Sequence, residues 1–298
     1  MTILELLKSS TEHLKSKGIT NPKTSCEILL SHVLEMKRLD LYLNYDRKVT
    51  DAERERFRDL YKRRLTHEPL QYILGETEFM SLPFKVNAHV LIPRPETELL
   101  VEQVISYCNA KWAHQPVPLS RILDIGTGCG NIAVSLAHNL PEAEVFGCDI
   151  SAEAVEVAKE NAQRNNVHHR VNFSVMDILK ADSTKSGILP GVSREYSSLH
   201  VIVSNPPYVS IKDEHILEKE ILDYEPHEAL FAGEDGLIFF HTIATLAKNW
   251  LADGGLLAFE TGYNTGEKVK ELVIAEGFHE VNLIKDYAGV DRIVTGVK

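Results

Sequence analysis

From residue 121 onward, short apolar runs alternate with helix-like stretches, and this alternation limits the possible folds more than any other feature of the chain. RILDI (121–125) leads into a glycine-rich turn and a helix near 131–140. EVFGC (144–148) ends at Asp149, and a helix starts at Ser151. VNFSV (171–175) ends near Asp177, and the run HVIVS ends at Asn205. A helix near 236–250, the run LLAFE (256–260), a helix near 266–277 and strands near 280–285 and 292–297 complete the series. Strands that alternate with helices need crossover connections. The expected class is therefore α/β, a mostly parallel sheet with helices on both faces. Such sheets bind ligands beyond the carboxyl ends of their strands. The polar punctuation falls at those ends: Gly126 to Gly130, Asp149, Asp177 and Asn205. No internal repeat is present, and residues 180–198 read as an exposed loop before the fourth strand.

The first 75 residues have a different character. Ile3, Leu7 and Leu14 share one helical face. Asn21-Pro22, a capping residue followed by proline at the first helical position, opens a second helix with the stripe Cys26, Leu29, Leu30 and Val33. Thr50 with Glu53 forms a capping box for a third helix, whose apolar face is Phe57, Leu60, Tyr61 and Leu65. A small helical bundle is expected, and composition does not separate that role from partner binding. Residues 76–93 hold two apolar runs split by Leu82-Pro83, which predicts a β-hairpin. After Pro93-Arg94-Pro95 a helix resumes with Leu99, Leu100, Val104 and Ile105, and a loop with Pro116 and Pro118 ends it. The expected division is a helical domain over 1–75, a hairpin linker over 76–93 and an α/β domain over 94–298.

Charge narrows the partners. The chain carries a formal −11, with 14 basic against 11 acidic residues in 1–75 and 18 against 32 thereafter. An acidic body is a poor surface for a phosphate backbone, so direct DNA binding is not expected. Four dispersed cysteines with no C-x-x-C pair disfavour a zinc ribbon or a disulfide framework and suit a reducing cytosol. Glu5 and Lys8 interrupt MTILELLKSS, and nowhere do 18 apolar residues run together. A cytoplasmic protein with no membrane partner is expected. His67-Glu68 and His227-Glu228 are not HExxH sites, because Gln71 and Phe231 stand at the second ligand positions, so no metal is expected. Gly262 to Lys268 resembles a phosphate-binding loop only superficially and reads better as a helix N-terminus.

Two segments carry chemistry. Asp124-Ile125-Gly126-Thr127-Gly128-Cys129-Gly130 follows a buried strand and opens a helix, and its glycines let the backbone approach a ligand closely. The spacing is G-x-G-x-G and not the dinucleotide fingerprint. Asp149, at the end of the next strand, is placed to accept from two ribose hydroxyls, or to cap the helix at Ser151. Asp177 is placed to accept from an adenine amino group, or is an ordinary turn aspartate. A nucleoside site without a demand for pyrophosphate points to S-adenosylmethionine. The second segment is Asn205-Pro206-Pro207-Tyr208. The Asn205 carboxamide oxygen and the Pro206 carbonyl are two acceptors aimed at one NH₂ group, stiffened by the prolines. Tyr208 adds a flat face for a planar amide or base. Two acceptors hold an amide nitrogen toward a sulfonium methyl, and orientation supplies the help that a poor nucleophile needs.

The chain resembles the release-factor glutamine methyltransferases of the HemK/PrmC type. The strings that carry the resemblance are 69–102, ILDIGTGCGNIAVSLA (122–137), VIVSNPPYVS (201–210), YEPHEALFAGEDGL (224–237) and AGVDRIV (288–294). The PRPET string within 69–102 and the Tyr-Glu-Pro segment are more particular to the family than Asn-Pro-Pro-Tyr, which amino-methylating DNA enzymes share. The resemblance implies a helical N-terminal domain that docks the substrate, a hairpin and a seven-stranded sheet whose last strand is antiparallel. It implies methyl transfer from S-adenosylmethionine to the glutamine of the Gly-Gly-Gln loop of class-1 peptide chain release factors; a monomer is expected. In that picture Gly126, Thr127, Gly128, Cys129, Gly130 and Asp149 hold the cofactor, with Asn205 beside it and Asp177 and Ile178 near its adenine. Asn205, Pro206, Pro207 and Tyr208 hold the glutamine amide, with Asn205 and Pro206 catalytic. Cys129 stands where Ser or Thr is common, Ile178 where some members place an aromatic, and the 180–198 loop is long. A ribosomal-protein glutamine methyltransferase, an N6-adenine nucleic-acid methyltransferase and a catalytically silent cofactor-binding module are the competing readings.

Overall fold

The computed structural model describes residues 1–112, 120–181 and 199–298. The loop expected around Pro116 and Pro118, and nearly all of that expected at 180–198, lie outside the described residues. The described chain forms two compact units, 1–76 with 218–224, and 77–217 with 225–298.

The first unit is helical: α1 (Ile3–Ser16), α2 (Pro22–Leu34), α3 (Arg38–Leu43), α4 (Asp51–Leu65) and α5 (Leu70–Leu74). Capping boxes start α1 at Thr2 with Glu5 and α4 at Thr50 with Glu53, each hydroxyl accepting from the third helical amide. Asn21 differs from expectation. It precedes Pro22, but its backbone is left-handed (φ 48°, ψ 53°) and its side chain makes no capping bond. Asparagine tolerates that conformation, so it serves as a bend where a cap was expected. The apolar stripes converge on one core, with Ile3, Leu14, Cys26, Leu29, Leu30 and Phe57 all buried. Within this unit Arg64, 3% exposed, donates from Nη2 to Glu220 at 2.5 Å, and the Tyr224 hydroxyl donates to the Thr66 carbonyl at 2.7 Å.

The second unit begins with the hairpin β1 (Glu76–Phe79) and β2 (Leu82–Lys85), continues with α6 (Glu96–Trp112), and then follows the alternation: β3 (Arg121–Ile125), α7 (Asn131–Asn139), β4 (Glu144–Asp149), α8 (Ala152–Arg164), β5 (Val171–Val175) and β6 (Leu199–Ser204). Next comes α9 (Lys219–Tyr224), which belongs to the helical unit. It is followed by α10 (Ile238–Trp250), β7 (Leu251–Glu260), α11 (Gly266–Ala275), β8 (His279–Lys285) and β9 (Asp291–Val297). Asn161 of α8 grips β2 from both sides: its oxygen accepts from the Lys85 amide at 2.7 Å and its nitrogen donates to the Lys85 carbonyl at 2.9 Å. The hairpin is thereby part of the α/β unit.

The strand order is β5-β4-β3-β6-β7-β9-β8, parallel except for β9, which runs antiparallel to both neighbours. The central strands are buried on both faces, as a parallel sheet under two helical layers requires. After β3 the chain moves outward to β4 and β5, then returns to place β6 on the other side of β3. A crevice opens at that switch point. Register lines up Ile125 with Cys148 and Ser204, and Ser204 with Phe259, so Gly126, Asp149, Asn205 and Glu260 all fall on one edge.

Candidate active site

At that edge lies a cavity of about 310 Å³. Gly126 and Gly128 form one wall, Asp149, Ile150, Asp177 and Ile178 a second, and Asn205, Pro206 and Pro207 a third. Cavities of this size suit small ligands.

The glycine-rich loop turns because its three glycines take positive φ, 73° at Gly126, 54° at Gly128 and 82° at Gly130. A β-carbon on Gly126 or Gly128 would meet nothing within 4 Å, so the loop borders open space that a ligand can fill. The amides of Gly126 and Thr127 both donate to the Cys148 carbonyl, at 2.8 and 3.0 Å. The Asp149 carboxylate accepts from the Gly128 amide at 2.8 Å and the Ser151 amide at 3.0 Å. Each oxygen of Asp149 therefore keeps a lone pair for another donor. Burial raises the Asp149 pKa against the pull of those amides, and Glu228 on the same cavity pushes it the same way.

Three of the loop residues face inward instead. Thr127 is buried and its hydroxyl donates to Asp124 at 2.7 Å. The Cys129 thiol is buried and pushed up to about 12 by burial, while its carbonyl accepts from Asn161 at 2.8 Å. Gly130 backs onto Ala158 and Phe173. These residues shape the loop without lining the cavity. Asp124 is fully buried, and burial raises its pKa to about 7. Asp177 lines the cavity, but its carboxylate accepts from the Leu179 amide at 3.1 Å and pairs with Lys180 at 2.8 Å, which lowers its pKa. Ile178 is buried beside it, and exposed Ile150 and Leu179 line the same slot, so this wall is aliphatic.

On the third wall, Asn205 donates from Nδ2 to Thr97 Oγ1 at 3.2 Å, and Thr97 donates to Glu260 Oε2 at 2.6 Å. Thr97 and Glu260 are each 1% exposed. Burial raises the Glu260 pKa to about 7. Tyr208 does not line the cavity; it packs against the core with its ring against Gly262, where a β-carbon would come within 2.6 Å of Cδ2. Burial pushes its hydroxyl up to about 12.

Sequence reading missed several participants. His89, Val90 and Leu91, after the hairpin, line the cavity, as do Phe231 and Phe239. Buried Glu225 ties two of these segments together, accepting from the Ile92 amide at 3.3 Å and from Arg94 Nη2 at 2.6 Å. Thr97 and Glu260 were present as the threonine of PRPET and the acid ending LLAFE. A polar residue closing an apolar strand was the available signal for Glu260. Among the described residues no group of three or more His, Cys, Asp or Glu could hold a metal ion.

The PrmC N-terminal domain matches residues 5–75, and a methyltransferase domain matches residues 117–271. The release factor glutamine methyltransferase of Chlorobaculum tepidum is 38% identical over 291 residues, covering 98% of this chain and 95% of the relative. That of Vibrio cholerae is 38% identical over 298 residues, covering 99% and 96%. Among solved structures, the hMettl16 catalytic domain in complex with a 3′UTR hairpin matches with a TM-score of 0.52 at 16% identity, covering 80% of this chain and 83% of that one. That last likeness speaks to the fold alone.

Proposed function

The chain belongs to the release factor glutamine methyltransferases, and from that premise we propose that it methylates the side-chain amide nitrogen of the glutamine in the Gly-Gly-Gln loop of class-1 peptide chain release factors. S-adenosylmethionine supplies a methyl group made electrophilic by its sulfonium. Gly126, Gly128 and Asp149 are the residues for its backbone-facing and ribose ends, and Ile150, Ile178 and Leu179 for its base. The open border of the loop and the spare lone pairs of Asp149 fit such a group.

The observation that carries the reading is the common cavity of Asn205, Pro206 and Pro207 with Gly126, Gly128 and Asp149. Asn205 Oδ1 and the Pro206 carbonyl accept the two amide protons of the substrate glutamine. The proline pair keeps both acceptors stiff. An amide lone pair is delocalised, so alignment carries much of the rate, and good alignment is worth ~7–11 kcal/mol in intramolecular models. Methylation leaves the nitrogen positively charged, so it sheds a proton readily and needs no strong base. The −14 charge of residues 76–298 supports a protein over a duplex DNA substrate. Four free, buried cysteines support a reducing cytoplasm, and no helix among the described residues is long and apolar enough to cross a membrane.

The deciding experiment offers labelled S-adenosylmethionine with purified release factor, ribosomal proteins and DNA in parallel, and locates the methyl by mass spectrometry. Label on the Gly-Gly-Gln glutamine is the expected result. Label confined to ribosomal protein or DNA overturns the substrate assignment.

A further inference from the structure

We infer that buried Thr97 and Glu260 act as positioning residues that set the polarity of the Asn205 carboxamide, so that its oxygen and not its nitrogen faces the substrate amide. The inference rests on the proposed role of Asn205 as an acceptor for the glutamine NH₂. Thr97 sits in the first turn of α6 and Glu260 at the last position of β7, 163 residues apart, yet their oxygens are 2.6 Å apart. Both side chains are sealed from solvent, so water cannot substitute for either partner.

The direction of the chain follows from donor chemistry. An ionised carboxylate only accepts, so the single Thr97 O–H proton must point at Glu260. The hydroxyl then offers only lone pairs to its other neighbour. Asn205 must meet it with Nδ2, at 3.2 Å, and Oδ1 is left for the cavity. Protonation of Glu260 reverses the logic. A carboxylic acid can donate to Thr97, which frees the Thr97 proton to meet Asn205 Oδ1. The carboxamide then turns over and sets an NH₂ against the substrate's NH₂. Methyl transfer accordingly proceeds with Glu260 ionised.

Among the described residues no cation pairs directly with Glu260. Arg292 of β9 and Arg94 ahead of α6 favour its ionised form, while Glu96 of α6 opposes it, and Tyr208 faces it from the loop after β6. Arg94 is engaged with Glu225 at 2.6 Å and Arg292 with Asp286 at 3.3 Å. Burial dominates, which puts the switch near neutrality.

Four full-length variants test this: Thr97→Ser, Thr97→Val, Glu260→Gln and Asn205→Ala. The wild type should gain kcat as pH rises through about 7. Thr97→Ser keeps the hydroxyl and should retain that profile within a few-fold. Thr97→Val should lose about 10- to 100-fold in kcat, the worth of a hydrogen bond involving a charged group, with S-adenosylhomocysteine affinity unchanged. Glu260→Gln can both accept and donate, so it should be slower and lose the inflection near pH 7. Wild-type kcat and pH profile in Thr97→Val overturn the relay. Should that variant fail to fold, an inflection that survives in Glu260→Gln overturns it equally. Asn205→Ala separates the two levels: full turnover there removes the acceptor reading itself, whereas a dead Asn205→Ala beside an active Thr97→Val removes the relay alone.

Discussion

The Tyr208 ring lies directly on Gly262, close enough that a β-carbon at residue 262 would stand 2.6 Å from Cδ2 and 3.0 Å from Cε2. A rigid ring cannot yield as a flexible chain end can. Gly262→Ala should therefore displace the Tyr208 ring and, through the chain, the Asn-Pro-Pro corner that precedes it. Overpacking of this kind costs about 1–3 kcal/mol, and if all of it is relieved by moving the corner, kcat/KM toward release factor falls roughly 5- to 150-fold. Steady-state kinetics with calorimetry of S-adenosylhomocysteine binding checks this. Kinetics matching wild type would show that the ring position is immaterial to the substrate.

Asn205→Ala removes one of two convergent acceptors without touching the glycine-rich loop. Methyl transfer should become undetectable while S-adenosylhomocysteine binding stays within a few-fold. The assay is single-turnover transfer from labelled donor, and undiminished transfer takes Asn205 out of the mechanism.

Asp149→Ala acts on the other side of the cavity. It deletes the acceptor held by the Gly128 and Ser151 amides and leaves those amides to find new partners. Affinity for S-adenosylhomocysteine should fall about 10- to 100-fold, the range for a hydrogen bond to a charged group. Titration calorimetry measures it directly, and an unchanged Kd would assign Asp149 to capping alone.

Glu260 also writes a pH dependence into stability. Its pKa in the folded protein, about 7, lies above the ordinary 4.5, so the folded state holds the proton longer than the unfolded chain. The contribution is therefore fully present below pH 4.5 and declines as pH rises toward 7. Relative to Glu260→Gln, the wild type should lose about 3 kcal/mol of unfolding free energy across that interval. Urea titrations at several pH values give the difference, in which other titrating groups cancel. A pH-independent gap between the two proteins would contradict burial as the cause.

In the helical unit, Arg64→Ala strands the Glu220 carboxylate, which is only 19% exposed. Removing one member of a buried pair should cost about 2–4 kcal/mol. The double variant Arg64→Ala with Glu220→Ala should recover part of that loss. An additive double variant would mean that the pair contributes no coupling.

The middle of the sheet was legible because β3, β4 and β6 are mostly apolar runs that stop at a glycine or a polar residue. The same stops brought Gly126, Asp149 and Asn205 to one cavity. Thr97 and Glu260 were not legible as a pair, because only the register of β6 against β7 and the placement of α6 join them. His89 to Leu91 and Phe239 read as ordinary core or turn residues, since apolar walls have no motif of their own. In the first 75 residues α3 and α5 span six and five residues, too short for a helical period to emerge. Asn21 shows a further limit: Asn before Pro suits both a cap and a left-handed bend, and the backbone path decides between them.

The excursion of residues 218–224 into the helical unit means that the backbone passes from one body to the other three times. A truncation at residue 76 would yield a helical fragment lacking Glu220, with the Arg64 guanidinium deprived of its carboxylate partner, and a remainder that carries residues 218–224 without the helices they pack on. The two bodies are thus interleaved along the sequence, and no single cut separates one whole from the other. Point substitutions in the intact chain are the instrument that its topology permits.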